Sequence, residues 1–107
     1  MELENFKIVE AQQAFQELIS LEFPGATSLV IAKVYLELTK LAEPILLALP
    51  KVNAENMTDE QRVKYEEILY AKSEVGTIPK LSYHIFDTVS IKPATLMAIQ
   101  DFIDLED

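Results

Sequence analysis

His84 is the only histidine in this 107-residue sequence. An imidazole can act as general base or metal ligand when a second group orients it. Asp87, three residues on, could supply that orientation only if the chain turns between the two. Ser82 and Ser90 are the neighbouring hydroxyls, and neither lies in a nucleophile-elbow pattern. His84 therefore reads as a partly exposed strand histidine, and no catalytic residue is assigned. The second grouping is acidic. Asp101, Asp104, Glu106 and Asp107 close the sequence with no base after Lys92. Carboxylates suit hard cations, yet no loop alternates Asp or Asn ligands around a turn glycine, so no metal ligand is assigned either. Acids at a helix end oppose its dipole by about 0.3–1 kcal/mol each, a penalty small enough to need no functional reason. These four residues read as a solvated tail or, functionally, as an arm that docks on a basic protein.

Composition narrows the classes further. There are 9 Lys and Arg against 18 Asp and Glu, a net charge of −9. That surplus disfavours direct nucleic-acid binding, which needs cations for phosphates, and docking on anionic lipid. No cysteine is present, which removes disulfides, thiolate zinc sites and thiol catalysis. Two glycines leave almost nothing from which to build a phosphate-cradling loop, and no cofactor is expected. The start, Met1-Glu2-Leu3-Glu4-Asn5, is acidic where an export signal is basic. The apolar stretches Leu29–Leu38 and Ile45–Leu49 are short and broken by Lys33, Glu37, Lys40 and Glu43, so no membrane span is expected. The expected setting is the cytoplasm. Half of the residues are hydrophobic, enough to build a core, and the length fits one domain over 1–107.

The elements that would position these side chains follow from periodicity. Phe15, Leu18 and Ile19 predict an amphipathic helix over 6–23, stopped by Phe23-Pro24-Gly25. Thr27 or Ser28 is the expected cap of a second helix. There Ile31, Val34, Leu38, Leu41, Ile45 and Ala48 form a seam at 3-4-3-4-3 spacing. Its first five residues are the candidate helix-seam interface, either with the first and third helices or across a homo-oligomer. Leu29, Val30, Tyr35, Leu36, Leu46, Leu47 and Leu49 lie beside or opposite the seam, and Lys33, Glu37 and Lys40 form a charged strip. Pro44 is expected to kink or restart this helix. Thr58-Asp59-Glu60-Gln61 has capping-box form and predicts a third helix to about Glu74. Alternation of Leu81, Tyr83 and Ile85 predicts a strand, with a turn at Asp87-Thr88 and room for a second short strand at 89–91. Pro93 then opens a short helix carrying Leu96, Met97, Ile99, Phe102 and Ile103.

Four pieces of the chain occur together in order. They are Phe23-Pro24 opening into Leu29-Val30-Ile31-Ala32-Lys33, then Gln61-Arg62-Val63-Lys64-Tyr65, then Ile78-Pro79-Lys80-Leu81, and the tail from Ile91-Lys92-Pro93-Ala94-Thr95-Leu96 through Phe102-Ile103. In this the chain resembles a family of small uncharacterised proteins encoded by tailed phages of Gram-positive bacteria. The resemblance runs over residues 13–103 and rests on packing and turn signals. It implies a helical front half and an extended segment followed by an S-P-x-x-L helix. Lys92 stands where the family often has Ser, which weakens the cap before Pro93. The resemblance brings no catalytic residue, and it implies a phage accessory or morphogenesis setting in the host cytoplasm.

The expected fold is mainly α with a small β or extended element. A helical hairpin or three-helix bundle leads into a short strand or hairpin and a C-terminal helix. The expected function is non-enzymatic: an accessory or assembly protein that binds another protein. The alternative is an acidic mimic of nucleic acid that inhibits a host defence nuclease or DNA-binding protein.

Overall fold

Ile8, Ala11, Phe15 and Leu18 recur at intervals of three and four residues, and that stripe is the buried face of helix α1, Asn5–Leu18. The computed structural model describes residues 1–76, 78–87 and 89–104, with Ala54 described by its backbone alone. α1 ends five residues before the expected stop. Ser20 Oγ donates to the Glu17 carbonyl at 2.6 Å, and the Leu21 N–H to that of Leu18 at 3.0 Å. These bonds satisfy carbonyls that a continuing helix would have used, and they turn Ile19 outward.

Helix α2, Gly25–Ala48, folds back on α1 as a hairpin. Pro24, not Thr27 or Ser28, occupies its cap position. Ser28 lies inside the first turn, and its hydroxyl donates to the Phe23 carbonyl at 3.1 Å. The helix runs unbroken through Pro44 to Ala48, so the expected restart does not occur. Ile31, Val34, Leu38 and Ile45 are buried, as expected of the seam, but Leu41 is only half-buried and Ala48 is exposed. Ala42 replaces Leu41 in the buried stripe. The reason is geometric: a straight helix of 3.6 residues per turn drifts away from a 3.5-residue repeat.

The capping box forms as expected. The Gln61 N–H donates to Thr58 Oγ1 at 3.2 Å, and the Thr58 N–H to Gln61 Oε1 at 3.0 Å. Helix α3, Asp59–Tyr70, buries none of its residues fully and stops well short of Glu74. Residues Lys72–Glu74 form strand β2, which pairs antiparallel with β1, Glu2–Glu4. Asn5 makes this junction. Its Nδ2 donates to the Ile68 carbonyl at 2.7 Å, its N–H to the Ala71 carbonyl at 2.8 Å, and its Oδ1 accepts from Ser73 Oγ at 2.6 Å. Carbonyls at the end of α3 are thus taken up by α1, and extension of α3 gives way to a strand.

The predicted strand over 78–85 shortens to β3, Leu81–Ser82, followed by a 3-10 turn, Tyr83–Phe86. Alternation alone does not sustain a strand without a neighbour, and residues 89–91 form none. The partner of β3 is β4, Ile103–Asp104, in parallel register. Helix α4, Pro93–Ala98, begins at Pro93 and ends before Ile99, and a 3-10 turn, Gln100–Phe102, leads into β4. Lys92 provides no side-chain cap. The tail packs through Ile99 and Phe102, whose ring meets Phe15 edge-on at 6.2 Å. The Thr95 hydroxyl donates to Glu17 Oε2 at 2.9 Å. Among the described residues the architecture is mainly α with two small two-stranded sheets.

Leu38 is wholly buried while Leu36, two residues away, is 57% exposed. Leu38→Ala should cost about 2–5 kcal/mol in denaturant unfolding, and Leu36→Ala less than about 0.5 kcal/mol. Equal costs would mean that α2 is rotated. Asn5→Ala strips the junction of its side-chain bonds, and a loss of about 2–3 kcal/mol is expected. It should be accompanied by faster amide exchange at Val75, whose N–H donates to the Met1 carbonyl.

Candidate functional site

Helix α2 carries large apolar side chains on two faces, and only one of these faces is used inside the chain. Ile31, Val34, Leu38, Ala42 and Ile45 face α1. Four of the five candidate seam residues are therefore spent on the chain's own core, and Leu41 lies half-buried at its edge. On the opposite side lie Leu29, Lys33, Leu36, Lys40, Glu43 and Leu47, at 4-3-4-3-4 spacing. At about 100° per residue all six fall within about 40° of one line along the helix. Leu29, Leu36 and Leu47 are 57%, 57% and 70% exposed. Large apolar side chains this bare, in line on one helix face, are a marker of contact surface. Val30, Lys33, Leu36, Glu37, Lys40 and Pro79 border a groove of about 580 Å³ beside this stripe.

The charges on this face are balanced. Lys40 Nζ lies 3.2 Å from Glu37 Oε1, while Lys33 and Glu43 have no ion-pair partner among the described residues. With two bases and two acids, the face is neutral on a chain of net charge −9. The molecule is also elongated. Its radius of gyration is 15.3 Å, against about 13 Å for a compact domain of this length. Its accessible surface is 7149 Å², against about 6,000 Å² for a compact monomer of 12.1 kDa.

Asp101 is half-buried in the 3-10 turn before β4, and Asp104 is exposed at the end of β4. Glu106 and Asp107 lie outside the described residues. Among the described residues no group of three or more His, Asp or Glu side chains could hold a metal ion. No described helix is long and apolar enough to cross a membrane. The carboxyl of Glu74 is exposed. A hydrogen bond from the Met1 ammonium at 2.8 Å, then one from the Gly76 N–H, hold its pKa below the ordinary value. A depressed carboxyl stabilises the fold above its unfolded pKa, and this contribution is lost as pH falls through the folded pKa. The contact closes the β1–β2 ladder, where Glu2 stands opposite Glu74.

His84 lies in the 3-10 turn rather than on a strand, and the turn brings Asp87 to its side, with Nδ1 3.6 Å from Oδ2. That separation is too long for a hydrogen bond. Both side chains are more than half exposed, and the Tyr83 ring stacks beside the imidazole at 4.0 Å. Ser82 accepts from the His84 N–H at 3.4 Å and so acts as the cap of this turn. The first 3-4 repeat of α2 sets Leu29, Leu36 and Leu47 around the seam without joining them to Glu43. The signal that joins them is the second 4-3 repeat on the same helix.

His84→Ala should shift the unfolding free energy by less than about 0.5 kcal/mol, since the side chain is exposed. A larger loss in denaturant titration would give the Asp87 pairing a structural role. Comparison with known protein families, curated proteins and solved structures finds no match to the chain.

Proposed function

We propose that this protein acts without catalysis, by binding another protein through the outward face of α2. Its setting would be that of the phage accessory or assembly proteins it resembles, in the host cytoplasm. The observation that carries this reading is the line of bare leucines at 29, 36 and 47 on a helix whose other face is already buried. The cost of leaving such surface in water is recovered when a partner covers it. The excess of about 1,100 Å² over a compact monomer compares with the roughly 800 Å² that each partner contributes to a standard interface.

Charge mimicry of nucleic acid has less support. A mimic needs carboxylates spaced like phosphates along one surface. On α3, the most acidic helix, Arg62 and Lys64 interrupt Asp59, Glu60, Glu66 and Glu67. The acids at the chain's end contribute Asp101 and Asp104 from different elements.

The test is recovery of bound protein by the tagged full chain from cells in which it is made, at low and at high salt. A partner held by apolar contact persists at high salt and is lost with Leu36→Glu combined with Leu47→Glu, whose circular dichroism should match that of the parent. Recovery that is unchanged in the variant overturns the assignment of this face. A basic partner that dissociates as salt rises would favour the mimic instead.

A further inference from the structure

We propose that the partner seated on the outward face of α2 is a second copy of this chain, docked antiparallel about a two-fold axis level with Leu38. This rests on the reading of that face as a protein-binding surface and names its occupant. The stripe reads the same in both directions. Leu29 and Leu47 stand nine residues either side of position 38, Lys33 and Glu43 five, and Leu36 and Lys40 two. A two-fold axis there places Leu29 on Leu47 of the second copy, Lys33 on Glu43, and Leu36 on Lys40. Because the interface is isologous, each pairing occurs twice.

Each layer is favourable for a stated reason. The leucine pairs close both ends of a contact about 27 Å long, at about 1.5 Å per residue. Lys33 and Glu43, unpaired among the described residues of one chain, find each other across the axis. Lys40 keeps its ammonium on Glu37 of its own chain, 3.2 Å away, which leaves its methylene stem free to cover Leu36. A parallel pairing in register would instead set Lys33 on Lys33, Lys40 on Lys40 and Glu43 on Glu43. Two chains of net charge −9 repel each other, and this locally neutral face is where they can approach at least cost. The repeat alternates four and three residues, the spacing that lets a helix seat its side chains along a facing helix.

Sedimentation equilibrium of the full chain over low micromolar to near-millimolar concentration tests the pairing. The parent should reach twice its 12.1 kDa mass. Lys33→Glu and Glu43→Lys should each weaken the dimer about tenfold, since either substitution turns two attractive contacts into two repulsive ones. Combining them should restore it. Glu43→Lys lowers the net negative charge and is still expected to weaken association, which separates pairing from general repulsion. A dimer indifferent to both charge changes overturns the proposed face, and a double variant no better than the single ones overturns the antiparallel register. A parent that stays monomeric overturns the second copy as occupant. If high-salt recovery of another protein is then still abolished by the Leu36 and Leu47 changes, the protein-binding reading stands without it.

Discussion

Asn5 is the side chain on which three elements converge. It lies at the first turn of α1, its amide donates to the Ile68 carbonyl of α3, and its carbonyl oxygen accepts from Ser73 of β2. Only 7% of the residue is exposed, so each of these polar atoms needs a protein partner. Asparagine offers both a donor and an acceptor on one short side chain. That chemistry decides where α3 stops, because carbonyls of its last turn are answered from α1. It also decides that β1 and β2 run side by side. Residues 72–74 have no intrinsic preference for a strand, and they become one because the junction delivers a neighbour.

Around that junction the chain is organised by a shortage of layers. α1 is covered by α2 on one side and by α3 and the tail on others. Its fully buried Ile8, Phe15 and Leu18 show how complete the cover is. α2 is covered along one face only. With 107 residues there is too little chain to wrap a 24-residue helix that is apolar on most sides. The molecule is therefore long and carries more surface than its mass requires. The outward leucines of α2 are a consequence of this architecture as much as of composition, and they concentrate the proposed function on one element.

Much of the helical framework is legible in the sequence, and the reasons are local. The Thr58–Gln61 capping box and the opening of α4 at Pro93 each depend on residues within one turn. The buried seam of α2 is legible too, apart from the step from Leu41 to Ala42 that helix drift imposes. The strands are not. β3 needs β4 from more than twenty residues away, and β2 needs β1 from the other end of the chain. His84 and Asp87 form a pair only if the chain turns between them, and the 3-10 turn supplies this, exposed to solvent. The acidic end is one feature along the sequence. In space its described members divide between a half-buried turn and a strand end.

The sequence by itself determined where α3 and α4 start, which helix faces are apolar, and that the chain carries a large negative charge without cysteine. These are properties of residues a few positions apart, and short-range sterics and hydrogen bonding settle them. Only the tertiary structure decided that the seam of α2 is spent inside the chain and that the leucines opposite it stay bare. That choice requires α1 to be in place, and its stripe of Ile8, Phe15 and Leu18 matches one side of α2 and leaves the other bare. A 3-4 repeat records that a face can be buried. What buries it depends on which other surfaces the fold brings within reach.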